Sequence, residues 1–363
     1  MKMRKVFLVV LALIMVFSLV ACGGGGTTDP ETTDSEISAP PSEQPSETNE
    51  ESDPKSVDPT KEKDRQPIEI KTKAEGDDVV LGFVLKLDTF VTYVWNAAEA
   101  FGKEHDNVTV HLVDSEADVA KELQAVENFI QMGCDAVLIQ PTDSTACGPL
   151  SEACTAAGIP LFAVNTNIDA PTMAYIGSDH YYSGQLQAEY IAETTDGTGN
   201  YAIVMGDLGS EAAHARTNGV KDTLAELCPD MKFMKEQTCN WVRDEAITVV
   251  ENWLQAEDGA DINYIFANND EGAVGAAIAC QAMGRPDIQV LGIDASEEGL
   301  KYVEDGRLVF TVFQNGWAQG WDGCQAAVDF IYGKDLGTFV EVPYEPVPAD
   351  RVEEIRELLA DMI

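Results

Sequence analysis

Residues 79–113 decide the fold: VVLGFVL at 79–85, WNAAEAFGKEH at 95–105 and VTVHLV at 108–113. The first and last are short apolar runs rich in β-branched residues, and the middle one places apolar residues at helical spacing, so the stretch reads as strand, helix, strand. The same alternation continues to the C-terminus. Strand-like runs recur as DAVLIQ (135–140), PLFAV (160–164), AYIG (174–177), YAIVMG (201–206), INYIFA (262–267), QVLGI (289–293) and VFTVF (309–313). Helical patterns separate them, among them DVAKELQAVENFIQMG (118–133), GQLQAEYIAETT (184–195), NGVKDTLAELC (218–228), EAITVVENWLQA (245–256) and EGAVGAAIACQAMG (271–284). This is an α/β chain with parallel sheets covered by helices on both faces, and the near-continuous apolar strands agree with sheets buried on both sides. From about Val79 to Ile363 there is room for two domains.

In such sheets ligands bind just beyond the carboxyl ends of the strands. There the chain carries a series of polar and aromatic groups: Asp88 and Phe90, Asn165, Ser210 and Arg216, Trp241 after KFMKEQT (232–238), Asn269, Asp294 and Gln314. Singly, a strand-end Asp or Asn is a helix cap or a turn former. Asp270, immediately before EGAVGAA, is assigned that capping role and left out of the site. Together the loops supply carboxylate, amide, guanidinium and aromatic faces, the inventory that a sugar's hydroxyls and C–H patches require. Asp88 and Asp294 can accept from hydroxyl pairs, Arg216 offers a rigid fork of donors, and Phe90 and Trp241 can enclose a ring. Tyr93 and Trp317 are assigned to core or surface packing, with the rim of that cleft as the alternative.

The segments KLDTF, GCDAVLIQPTD, GIPLFAVNTN, YIGSDHYYSGQLQAEYI, AHARTNGV, ANNDEGAVGAAIA, GIDASEEGLKYVEDGRL and VPYEPVPAD resemble the ribose and galactose type of periplasmic sugar-binding protein, the type I solute-binding family of ABC transporters. The resemblance covers nearly all of 79–350. It implies two Rossmann-like lobes joined by three crossovers: residues 78–178 with 315–341, and residues 179–314 with 342–363. It also implies that Asp88, Phe90 and Asn165 serve the first lobe's half of a sugar site, Arg216, Trp241, Asn269 and Asp294 the second lobe's half, and Gln314 the hinge side. The galactose-type His and Asp before the arginine are here Ser210 and Ala212, and TTDGTGNY (194–201) lacks the carboxylate spacing of that type's calcium loop. The expected partner is a neutral monosaccharide or polyol, passed by a monomer to an ABC permease, with no cofactor and no metal. A sugar or autoinducer receptor that presents its ligand to a sensor kinase is the alternative.

Work outside the cytoplasm is written into the N-terminus. Lys2, Arg4 and Lys5 precede the apolar run Val6–Val20, and Leu19-Val20-Ala21-Cys22 closes it. Basic start, apolar stretch and small residue make a secretory signal; the run is short of the ~20 residues of a spanning helix. The motif resembles the bacterial lipoprotein signal, which implies cleavage before Cys22, lipidation of that cysteine and a membrane anchor. Residues 23–77, with four successive glycines and PSEQPSETNEESDP (41–54), have almost no large apolar side chain and read as a disordered tether. A flexible chain of that length reaches about 40 Å r.m.s.. The CGGGG junction and the acidic tether resemble Gram-positive lipoproteins.

A formal charge of −40 argues against nucleic acid and anionic headgroups as partners. Besides Cys22 the cysteines are Cys134, Cys147, Cys154, Cys228, Cys239, Cys280 and Cys324, an odd set without a C-x-x-C pair. They read as small buried hydrophobes, with a Cys134–Cys154 bridge as the alternative. His105, His111, His180 and His214 have no Cys or Asp arranged as a triad, His214 is expected to face the cleft, and no G-x-G-x-x-G, G-x-S-x-G or H-E-x-x-H occurs. Enzymatic activity is therefore not expected.

Overall fold

A computed structural model describes residues 65–69 and 71–360. The signal segment 1–22 with Cys22, and residues 23–64 of the tether, lie outside the described residues. Within the stretch read above as tether, Gln66 and Lys73 instead contact the folded body: Gln66 is buried and its Oε1 accepts from the Leu161 backbone N–H, while Lys73 pairs with Asp135.

In chain order the elements are β1 (Val79–Leu85), α1 (Val91–Glu104), β2 (Val108–Asp114), α2 (Val119–Met132), β3 (Ala136–Gln140), α3 (Gly148–Ala157), β4 (Leu161–Asn165), β5 (Ala174–Gly177), α4 (His180–Thr194) and β6 (Gly199–Met205). They continue with α5 (Glu211–Leu227), β7 (Met231–Thr238), α6 (Arg243–Gln255), β8 (Tyr264–Ala267), α7 (Asp270–Ala282), β9 (Gln289–Leu291), α8 (Glu297–Glu304), β10 (Thr311–Phe313), α9 (Gly316–Ile331), β11 (Phe339–Glu341), β12 (Glu345–Val347) and α10 (Val352–Ala360). One sheet has the order β11-β5-β4-β3-β1-β2 and the other β7-β6-β8-β9, and every pairing in both is parallel. β10 pairs antiparallel with β12 and touches the second sheet through the bridges Leu291↔Phe310 and Asp294↔Phe313.

Side chains alternate across each strand, so each sheet feeds two cores. Leu81, Phe83, Leu85 and Leu138 pack with residues of α1 and α9, while Val84, Val137 and Ile139 pack with residues of α2 and α3 on the opposite face. The second sheet divides in the same way between residues of α6 and α7 and residues of α4 and α5. Local signals set the ends: Asp118 accepts from the Ala120 and Lys121 N–H groups to start α2, and Gly133 at φ 77° stops it. The seven described cysteines are all free and buried, so the Cys134–Cys154 bridge is not formed.

The chain passes between the sheets three times: at Ser178 and Asp179 after β5, at Gln314 and Asn315 after β10, and at 342–344 after β11. One further close approach positions the site. Gly184 on α4 and Gly219 on α5 each lie against a backbone carbonyl of the other helix, Arg216 and Tyr181 respectively, leaving no space for a methyl group. Only glycine lets these helices come so near, and that contact brings Arg216 beside His180.

Candidate functional site

A cleft enclosing about 1010 Å³, including its open mouth, lies where the carboxyl ends of the two sheets face each other. All nine sequence-derived candidates line it: Asp88, Phe90, Asn165, Ser210, Arg216, Trp241, Asn269, Asp294 and Gln314. Tyr93 and Trp317, read as packing residues, are half-buried and line it too. His214 does not; its Nε2 lies 2.8 Å from the Leu208 carbonyl.

Arg216 is the centre. It is 4% exposed although it carries a charge. One guanidinium nitrogen donates to the Asn268 carbonyl and lies 3.7 Å from Asp294; the other donates to Gln314 Oε1 at 2.7 Å and to the Tyr344 hydroxyl at 2.9 Å. Its Nε and the Gln314 Nε2 are buried donors with no protein acceptor. Buried donors are normally satisfied, so both are suited to an acceptor brought in by a ligand. Burial pushes Asp294 well above the usual carboxylate range, and the Arg216 charge opposes that push.

Several candidates do two things at once. Asp88 lines the cleft while its Oδ1 accepts from the N–H of Val91, the first residue of α1, at 2.7 Å. Asn269, not Asp270, caps α7: its Oδ1 accepts from the Gly272 N–H at 2.9 Å. Asp270 is instead a buried clamp on the loop between β9 and α8, accepting from Ser296 N and Oγ and from Thr311 Oγ1, and burial raises its pKa to about 7. It also lines the cleft, so leaving it out as a cap misread the pair Asn269-Asp270. Either side chain can cap from sequence, and only the fold shows which one turns back on its own helix. Asn165 gives Nδ2 to Gln319 at 2.8 Å and accepts from Thr166, so its side chain is largely held by protein partners.

Trp241 lies flat against Gly206 at the end of β6, where a side chain would overlap its six-membered ring. The Arg216 guanidinium stands 5.6 Å from the ring centroid. Four cleft residues that are not glycine have positive φ: Asn165 at 66°, Trp241 at 65°, Asp294 at 123° and Ala295 at 52°. Such conformations persist only where surroundings over-determine them, and they gather at functional sites. Sequence reasoning missed His180, Gln319 and Tyr344, which support the floor of the cleft, and Lys86, which meets Asp207 across its mouth at 3.1 Å. Beside that ion pair, the Ser144 N–H donates to the Gly209 carbonyl and the Glu211 N–H to Ser144 Oγ, so the lobes touch across the opening.

Comparison with known proteins agrees with this geometry. The family described as periplasmic binding protein domain matches residues 81–335. A protein of Rhizobium meliloti named for rhizopine binding is 34% identical over 295 residues, 79% of this chain and 95% of the relative. A xylitol-binding protein of Mycolicibacterium smegmatis is 30% identical, covering 74% of this chain and 76% of its own. Among solved structures, an ABC transporter solute-binding protein of Bacillus halodurans with bound myo-inositol superposes with a TM-score of 0.74 at 33% identity, over 78% of this chain and 99% of that one. With two parallel sheets, three crossings and a polar cleft between them, this chain belongs to the periplasmic binding protein domain family.

Proposed function

We propose that the protein captures one neutral sugar or cyclic polyol between its lobes and hands it to an ABC permease, anchored outside the membrane through a lipidated Cys22. The observation that carries this reading is the cleft's balance of groups. Asp88, Asp294 and the unpartnered donors of Arg216 and Gln314 suit hydroxyls, and Phe90 and Trp241 offer flat apolar faces. Lys86 is paired with Asp207, which leaves Arg216 facing two carboxylates and makes the cleft a poor host for a phosphate or sugar acid. The relative named for xylitol and the neighbour holding myo-inositol support a polyol. Binding without catalysis fits the buried histidine, whose partners are a carbonyl, two tyrosines and an arginine rather than a nucleophile.

A thermal-shift panel of pentoses, hexoses, inositols, amino-cyclitols and sugar phosphates tests this, because a compound binding only the folded state raises its melting temperature. A neutral polyol should give the largest shift. A response confined to sugar phosphates would overturn the reading, and one confined to amines would replace it with a cationic ligand held over Phe90 and Trp241.

A further inference from the structure

The three crossings between the lobes meet in a single cluster of buried polar side chains. Ser178 on the first crossing donates from Oγ to the carbonyl of Val342 on the third at 2.6 Å. Gln319 ties Ser178 to Asn165, donating to Ser178 Oγ and accepting from Asn165 Nδ2, both at 2.8 Å. His180 adds a directed path. Its Nε2 is 2.7 Å from the Asn165 carbonyl, which can only accept, so the proton sits on Nε2. Nδ1 therefore accepts, and its partner is the Tyr344 hydroxyl at 2.7 Å. That hydroxyl accepts in turn from Arg216 at 2.9 Å. Each donor is thus fixed in direction: guanidinium to Tyr344, Tyr344 to His180, His180 to the carbonyl of Asn165.

The last member is a strained one. Asn165 holds φ at 66°, and its carbonyl also receives the Tyr175 hydroxyl at 2.7 Å. Arg216, His180, Asn165 and Tyr344 are all 6% exposed or less, so water does not replace a lost partner. We propose that His180 and Tyr344 are positioning residues that fasten Arg216 of the second lobe to the left-handed turn at Asn165 of the first, so that the cleft groups of both lobes are set together at the hinge. The inference rests on the proposed function only in taking this cleft as the binding site; the relay itself exists without any ligand.

The test uses the full chain and begins without ligand. In a histidine-labelled sample, nitrogen NMR should find one imidazole of the four as a neutral Nε2–H tautomer from about pH 8 down to about pH 5, through the range where an ordinary histidine protonates. Tyr344→Phe removes one oxygen and keeps the ring. It should move the Nδ1 resonance of His180 toward the value of a free acceptor and speed amide exchange at residues 164–168 about tenfold, the scale of one lost buried hydrogen bond. His180→Phe should speed the same amides at least as much, and His180→Gln, which keeps a donor and an acceptor, should restore part of the protection. With myo-inositol, xylitol and ribose as probes, Tyr344→Phe should weaken whichever binds by about tenfold, mainly through faster release. A His180 that titrates near 6.5, an Nδ1–H tautomer, or unchanged exchange at 164–168 in Tyr344→Phe overturns the proposal. If none of the neutral pentoses, hexoses and inositols of the thermal-shift panel binds the wild type, the ligand reading fails, and the relay is still decided by the spectrum and the exchange rates.

Discussion

Gly206→Ala attacks the ligand platform without touching it. The backbone there is ordinary, so alanine is not strained by conformation, and the Gly206 N–H can keep its 3.0 Å bond to Asn268 Oδ1. The new methyl, however, falls within the six-membered ring of Trp241. To regain an ordinary carbon spacing of ~3.5–4.0 Å the indole must retreat by more than about 1 Å. Trp241 is half-buried with the cleft on its free side, so it has only the ligand's space to retreat into. Stability should therefore fall by about 1–3 kcal/mol, as for other overpacked sites. Binding should fall by about 2–4 kcal/mol, the scale of losing a central aromatic contact. Calorimetric titration with the polyol selected by thermal shift gives the second number, and thermal unfolding gives the first. Trp241→Ala should lose a similar amount of binding, and the double variant should be no worse than Trp241→Ala alone, because both changes disable the same surface. If Gly206→Ala binds as tightly as the wild type, the indole is not a ligand platform, and additive losses in the double variant would refute the reasoning as well.

Asp88→Ala should weaken polyol binding by about 1–3 kcal/mol, since a hydroxyl is left without its acceptor; Asp88→Asn, which can still accept from the Val91 N–H, separates that loss from any loosening of α1, and titration with thermal unfolding reads both. Asp270, raised to about 7 in the fold from an ordinary value near 3.8, binds its proton more tightly folded than unfolded. Its contribution is thus fully present below the unfolded value and is lost as pH rises toward 7, so the wild type should lose more stability from pH 5 to pH 8 than Asp270→Asn, measured by denaturant titration. Cys22→Ser should move the protein from the membrane fraction to the soluble one while polyol binding persists; a serine variant that stays in the membrane fraction rules out the lipid anchor.

Strand-and-helix alternation made the two sheets legible, because runs such as AVLI in β3 and LFAV in β4 are buried on both faces and are apolar throughout, with a polar residue only at each strand's carboxyl end. β7, with the sequence MKFMKEQT, is an edge strand with much of its length exposed, and it is marked only by the site residue that follows it. α3 and α9 were not identified because Gly148, Pro149, Gly316, Gly320 and Gly323 dilute their helical periodicity. Cleft residues could be found from position, since whatever follows a parallel strand points into the space between the lobes. Their supports could not. His180 and Tyr344 come from crossings 164 residues apart, and nothing local to either sequence marks their 2.7 Å contact. The exchange of roles between Asn269 and Asp270 has the same origin, because a cap is local while the Ser296 and Thr311 bonds of Asp270 are not.

The seven buried thiols have a chemical consequence. Burial pushes Cys154 and Cys280 up to about 12 and Cys134 and Cys239 up to about 11, far from the thiolate that oxidants and alkylating reagents attack. They are distributed among all four cores: Cys324 between α9 and the first sheet, Cys134, Cys147 and Cys154 on that sheet's other face, Cys239 and Cys280 under α6 and α7, and Cys228 beyond α5. These unpaired cysteines are thus shielded by packing alone, and that protection lasts only as long as each core stays shut. The rate at which a thiol reagent modifies them, one by one, is a clock for the opening of each layer, and a protein trapped open by damage would be the one to form wrong disulfides.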